Sequence, residues 1–132
     1  MATTTTTITI SSTDLLSDEL ALTSTTTLNT AGTSTGLIGT GGLGRKKTGG
    51  TSQYILFDGD AYASGAHKIY LKNTSTTAAQ YFTIEINSEQ MGKLYAGDWA
   101  FFPWEANADT NDIKVQPSAA DMTLEYMLFT DE

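Results

Sequence analysis

No aromatic residue occurs before Tyr54, and all thirteen (two Trp, six Tyr, five Phe) lie between there and Phe129. Aromatic side chains carry most of the area a small protein can bury, so the power to build a core sits in residues 53–132. The preceding segment is dominated by Thr, Ser and Gly, and eight of the twelve glycines fall between Gly32 and Gly50. Such a segment buries too little to offset its ordering entropy alone. It must lie on the aromatic part, pair with another chain, or stay mobile. The division is thus a polar N-terminal arm (1–52) and a core (53–132), within one domain of 132 residues.

From residue 53 onward the hydrophobic period is two. "QYILFD" (53–58) is a short apolar strand, closed by the turn "DGDAYASG". "HKIYLKNTS" (67–75) sets Ile69 and Leu71 against Lys68, Tyr70 and Lys72, and "QYFTIEINS" (80–88) sets Phe82, Ile84 and Ile86 against Tyr81, Thr83 and Glu85. "GKLYAGDWAFFPWEA" (92–106) reads as two strands broken at Ala96 and Gly97. "DIKVQPS" (112–118) and "MTLEYMLFTD" (122–131) complete the series, the last with Leu124, Tyr126 and Leu128 on one side. Short strands at this spacing with turn residues between them predict an all-β fold, an antiparallel β-sandwich of jelly-roll type. Within the arm, "TITIS" (7–11) and the Thr-rich stretch 20–30 are also strand-like, and "SSTDLLSDEL" between them suggests one turn capped by Ser12 or Thr13.

Charge and composition remove several functions. The net charge of −8 opposes binding to nucleic acid and to anionic membranes. No cysteine is present, so disulfides, thiol catalysis and thiolate metal sites are out of reach. "MATTTTTITISS" has neither a basic start nor a long apolar run, which speaks against a signal peptide or membrane span and for a protein made in a cytosol.

"GLIGTGGLGRKK" (36–47) matches a dinucleotide-binding glycine spacing at Gly39, Gly41 and Gly44, and nearly a phosphate loop, with Arg45 in place of lysine. Phosphate binding needs a buried strand before the glycines and a helix N-terminus after them. Here a strand follows, so the stretch is expected to be a flexible loop carrying Arg45, Lys46 and Lys47. His67, the only histidine, stands at a strand start and is expected at the surface; alone it forms neither a His-based metal cluster nor a triad with a second option. Asp58 and Asp60 resemble the beginning of a calcium loop, but the closing acid is missing and an Asp-Gly turn accounts for them. No catalytic residue, metal site, cofactor or small-molecule substrate is therefore assigned.

In "AGDWAFFPWEA" five bulky residues, Trp99, Phe101, Phe102, Pro103 and Trp104, occur within six positions. Alternation buries Trp99 and Phe101 on one face and leaves Phe102 and Trp104 on the other. A sheet with one wet face does not ordinarily put aromatics on both sides. Either the N-terminal segment covers the second face, or another subunit does, since buried interface centres favour Trp and Phe.

The order "KIYLKNTS…YFTIEIN…GKLYAGDWAFFPW…DIKVQPS…MTLEYMLF", behind a polar arm, resembles small structural proteins of tailed-bacteriophage virions, and capsid decoration (cement) proteins above all. The resemblance covers most of the chain and rests on the order of its segments, without a catalytic motif. It implies a small, often trimeric β-sandwich that glues neighbouring capsomers, on the outside of a phage head. Its partners would be the major capsid protein and copies of itself, with Arg45, Lys46, Lys47, Trp99, Phe101, Phe102 and Trp104 as interface candidates. Tail, neck and fibre-associated proteins of similar size are the nearest alternatives. A carbohydrate-binding β-sandwich, with Tyr95, Trp99 or Trp104 as stacking platform, is the alternative from another class.

Overall fold

The computed structural model describes residues 3–15, 17, 19–30, 32–37, 39–62, 65–107 and 110–130; those parts of the stretches above that fall on other positions lie outside the described residues. Among the described residues eleven strands form: β1 (Thr5–Ser12), β2 (Leu20–Thr27), β3 (Gly39–Thr40), β4 (Gly44–Lys47), β5 (Tyr54–Phe57), β6 (Ala66–Asn73), β7 (Tyr81–Ile86), β8 (Glu89–Tyr95), β9 (Trp99–Glu105), β10 (Ile113–Pro117) and β11 (Thr123–Thr130). Every pairing between them is antiparallel. One sheet runs β5-β10-β7-β8. The other runs β11-β6-β9, with β3 and β4 both along the remaining edge of β11. The chain is all-β.

The two sheets share one core. Its contributors from the four-stranded sheet are Phe57, Phe82, Ile84, Ile113 and Val115; from the other sheet come Ile69, Leu71, Trp104, Leu124 and Leu128. Each of these sits at an alternate position of its strand, as a period of two requires when one sheet face is wet. Edge strand β9 carries Pro103, whose missing N–H is tolerated where no further strand pairs.

Turns direct the chain between sheets. Asn87 and Ser88 both take positive φ (52° and 62°), a primed turn whose twist matches the strands of the β7–β8 hairpin. Gly97, at φ 85°, moves the chain from edge strand β8 to edge strand β9. Asn73, fully buried at the end of β6, holds this corner. Its Nδ2 donates to the carbonyls of Gln80 (3.1 Å) and Leu94 (3.0 Å), and its Oδ1 accepts from the Ser75 amide (2.9 Å). Its backbone also exchanges bonds with Gly97 and Asp98, both 3.0 Å long.

The glycine stretch is edge strand rather than flexible loop, which corrects the expectation for Arg45, Lys46 and Lys47. Gly41–Leu43 interrupts β3 and β4, and Thr40 Oγ1 anchors the break by donating to the Leu128 carbonyl at 2.9 Å. Gly44 lies opposite Tyr126, and a Cβ at Gly44 would stand 2.6 Å from the tyrosine ring. The glycine is there to admit an aromatic ring. The glycines lead into strand β4 and not into a helix.

Two further expectations are corrected. His67 is fully buried, with ring centroids 6.0 Å from Tyr62 and 5.6 Å from Trp104. It shares the phase of Ile69 and Leu71, which turns it inward. The aromatics of β9 also point the opposite way from expectation: Trp104 is 2% exposed and Phe102 packs against the core, while Trp99 is 49% exposed. Register with β6 explains this, because Phe102 faces Ile69 and Ala100 faces Leu71 across the strand pair, and cross-strand partners share a face.

β1 and β2 form a separate two-stranded ribbon in continuous register from Thr5–Thr27 to Ser12–Leu20. One face is a threonine ladder, with Thr7 and Thr25 hydroxyls 2.8 Å apart; the other carries Ile8, Ile10, Leu20 and Leu22. Ser12 begins the connection, its Oγ accepting from the amides of Asp14 (3.4 Å) and Leu15 (3.1 Å), as a capping serine does, although no helix follows among the described residues.

Candidate functional site

The outer face of the five-stranded sheet is built from the residues that alternate with the core. Register gives its rows directly. Arg45, Glu125, Lys72 and Trp99 lie side by side across four strands. Met127, Tyr70 and Phe101 form the next row, and Thr40, Phe129, Lys68 and Pro103 the one beyond. Phe101 and Phe129 meet edge to face above this surface, at 6.3 Å and 72°. The face therefore combines Trp, Phe, Tyr, Met and Arg, the residues that dominate the buried centres of protein interfaces.

Its one central acid is neutralised in place. Arg45 donates to Glu125 through Nε at 2.9 Å and Nη2 at 2.8 Å, and the Tyr70 hydroxyl donates to the other carboxylate oxygen at 3.2 Å. The Arg45 bond, opposed in part by burial and aided by Tyr70 and Lys72, holds the Glu125 carboxyl below the usual carboxylate range. Its contribution to stability is present above that range and fades as pH falls through the lowered value. Burial, then the bond to Glu125, raises the Tyr70 hydroxyl. Lys68 turns back to donate to the Ala66 carbonyl at 2.7 Å, and at the β4 end Lys47 pairs with Asp121 at 3.1 Å. A groove of about 390 Å³ borders the face, where Thr6, Thr7 and Ile8 of β1 approach Tyr70, Lys72, Trp99 and Phe101.

The seven residues singled out in the sequence are thus divided. Arg45, Trp99 and Phe101 come together on the outer face, with Lys47 at its end. Phe102 and Trp104 belong to the interior. Lys46 points the other way from Arg45, its ammonium 4.2 Å from the centre of the Tyr54 ring. Missing from the sequence reading as site residues are Lys68, Tyr70, Lys72, Met127 and Phe129. The outward phase of Lys68, Tyr70 and Lys72 was legible on β6, but nothing local says that β6 lies between β9 and β11.

Tyr54 itself yields a pH prediction. Its hydroxyl is buried without a hydrogen-bond partner among the described residues, and burial followed by the nearby Tyr126 pushes its pKa up to about 12. A raised folded-state value means that the associated stability is intact below about pH 10, the unfolded tyrosine value, and is lost as pH climbs towards 12. Tyr54→Phe should match or slightly exceed the parent at neutral pH and lose less stability in alkaline denaturation titrations. Equal alkaline losses in both chains would contradict this.

Elsewhere, the Asp58 and Asp60 pair is a turn: Asp58 Oδ1 accepts from the Asp60 amide (3.0 Å), and Asp112 Oδ1 from the Gly59 amide (2.9 Å). Among the described residues no group of three or more His, Asp or Glu side chains is placed to hold a metal ion, and no helix is long and apolar enough to cross a membrane. The fold and this surface define an antiparallel two-sheet protein with one aromatic and basic outer face. In comparisons with known proteins, no family model, no curated protein and no solved structure matches the chain.

Proposed function

We propose that this chain is a non-enzymatic structural protein of a tailed-phage virion, a capsid decoration protein that stabilises the head by bridging shell subunits as a self-associating, trimeric β-sandwich. The observation that carries the proposal is the outer sheet face, where Trp99, Phe101, Tyr70, Met127 and Phe129 stand with Arg45 and Lys72 on a chain of net charge −8. An aromatic surface with its central acid already paired is suited to burial against protein. Each contact can be modest, because symmetry repeats it around the shell.

Strand order supports a jelly-roll reading. Counting β4 to β11 as strands one to eight, the sheets run 1-8-3-6 and 2-7-4-5, the interleaving of two Greek keys that defines that fold. Jelly rolls are frequent among viral shell proteins, which agrees with the proposal at the level of fold analogy.

Quantitative mass spectrometry of purified virions tests the function. The expected copy number is on the scale of the shell proteins, and a Trp99→Ala, Phe101→Ala chain should be incorporated at a small fraction of that level. A handful of copies per particle would place the protein in a tail, neck or fibre. One observation favours a second reading: Trp99 stands half exposed beside the groove at Lys72, where a sugar ring could stack. Specific glycan-array binding by the isolated protein, with no copies in virions, would replace the proposal by a carbohydrate-binding module.

A further inference from the structure

We infer that the tip of the β1–β2 hairpin of one copy docks on the outer sheet face of a neighbouring copy, so that the assembly is held by exchanged hairpins. The inference rests on the reading of that face as an interaction surface, and names its occupant.

The hairpin is unfinished within its own chain. β1 and β2 pair only with each other among the described residues, and a two-stranded ribbon is marginal in water unless something covers it. The uncovered part is the apolar side: Ile10 and Leu22 are half exposed, and Leu15 beyond them is 72% exposed. The base of the same ribbon lies across a groove from the sheet face of its own subunit, with Ile8 and Trp99 both on the groove's walls. The ribbon thus runs alongside that face, while its outer half, with Ile10, Leu15 and Leu22, stands uncovered.

Charge indicates which surface covers the outer half. No cation precedes Arg45, and the connection between β1 and β2 carries Asp14, Asp18 and Glu19. The outer sheet face and its β4 end hold Arg45, Lys47, Lys68 and Lys72, leaving only three of the seven cations for the rest of the chain. Of the acids on that face, Glu125 is bound by Arg45 and Tyr70, Asp121 is paired with Lys47, and Glu105 lies at the far end of β9. An acidic, leucine-bearing tip and a basic, aromatic face on one chain are complementary surfaces for two copies. The contact is head-to-tail, each copy giving one tip and receiving one, and such contacts form a ring when the rotation closes.

Analytical ultracentrifugation of the full chain tests this, with melting curves to verify that each variant is folded. The parent should self-associate, more tightly at low salt than at high salt. Leu15→Ser with Leu22→Ser removes the tip's apolar contact, and Trp99→Ser with Lys72→Ser removes its seat. Each variant alone should associate about tenfold or more weakly. Mixed in equal amounts, the two should form one-to-one pairs, because each supplies the surface the other lacks. Asp14→Asn with Glu19→Gln, a change at exposed charges, should weaken association at low salt and flatten its salt dependence. A parent that stays monomeric at about 100 μM, variants that assemble like the parent, or a mixture that fails to pair would each overturn the inference. Failure of the virion proposal looks different: hairpin exchange is seen in solution, while the chain is missing from particles.

Discussion

An Asn73→Ala chain unfolds about 10–20 °C below the parent, the largest effect expected of any polar substitution in this protein. Three hydrogen bonds converge on this one side chain, at 2.9–3.1 Å, in a site with no solvent exposure. Alanine leaves the carbonyls of Gln80 and Leu94 and the amide of Ser75 without that partner. Stranding a buried polar group costs about 1–3 kcal/mol, so the total comes to about 3–5 kcal/mol even if one group finds another partner. The damage is also placed where the chain changes sheets, since the Asn73 backbone bonds to Gly97 and Asp98 in the β8–β9 corner. Thermal melts followed by near-ultraviolet circular dichroism provide the measurement. A loss below about 1 kcal/mol would mean that the corner holds without its asparagine.

Two tryptophans five positions apart should behave in opposite ways. Trp104 is buried among Phe57, Tyr62 and His67, with centroid distances of 6.0, 5.6 and 5.6 Å, and its Nε1 donates to the Asn111 carbonyl at 2.7 Å. Trp104→Ala removes that packing, leaves a cavity and strands a carbonyl, for a loss of about 3–5 kcal/mol. Trp99 lies on the outer face, half exposed, and Trp99→Ala should change the stability of the monomer by no more than about 0.5 kcal/mol. Its effect should appear in assembly instead. Urea titrations of both variants under monomeric conditions decide the matter, and equal losses would show that β9 does not hold the phase described.

The contrast shows what could be read locally. Strands β6, β7, β10 and β11 were legible because each alternates sharply: Ile69 and Leu71 between lysines, Ile113 and Val115 beside Lys114 and Gln116. Burial follows that alternation wherever only one sheet face is dry. β9 offers no such contrast, with aromatics on both faces, so its phase was set by its neighbour β6. His67 follows the inward phase of Ile69 two residues further on, although its place at a strand start suggests the surface. Nothing local marks β4 as a strand, since "GRKK" has no apolar residue; what makes it one is the free edge of β11 and the room that Gly44 leaves for Tyr126.

The candidate site divides along the same line. Sequence alone determined that this is an all-β chain with more aromatics around residues 98–104 than one sheet face ordinarily buries, and it offered Arg45, Trp99 and Phe101 only among seven interface candidates. Only the tertiary structure decided that these three share a face with Lys72, Tyr70 and Phe129, and that Phe102, Trp104 and His67 do not. Alternation along a strand is a local property, imposed by the pleat and readable from side-chain polarity. Adjacency across a sheet joins residues such as Arg45 and Glu125, eighty positions apart, and is settled by which strands find each other when the core closes.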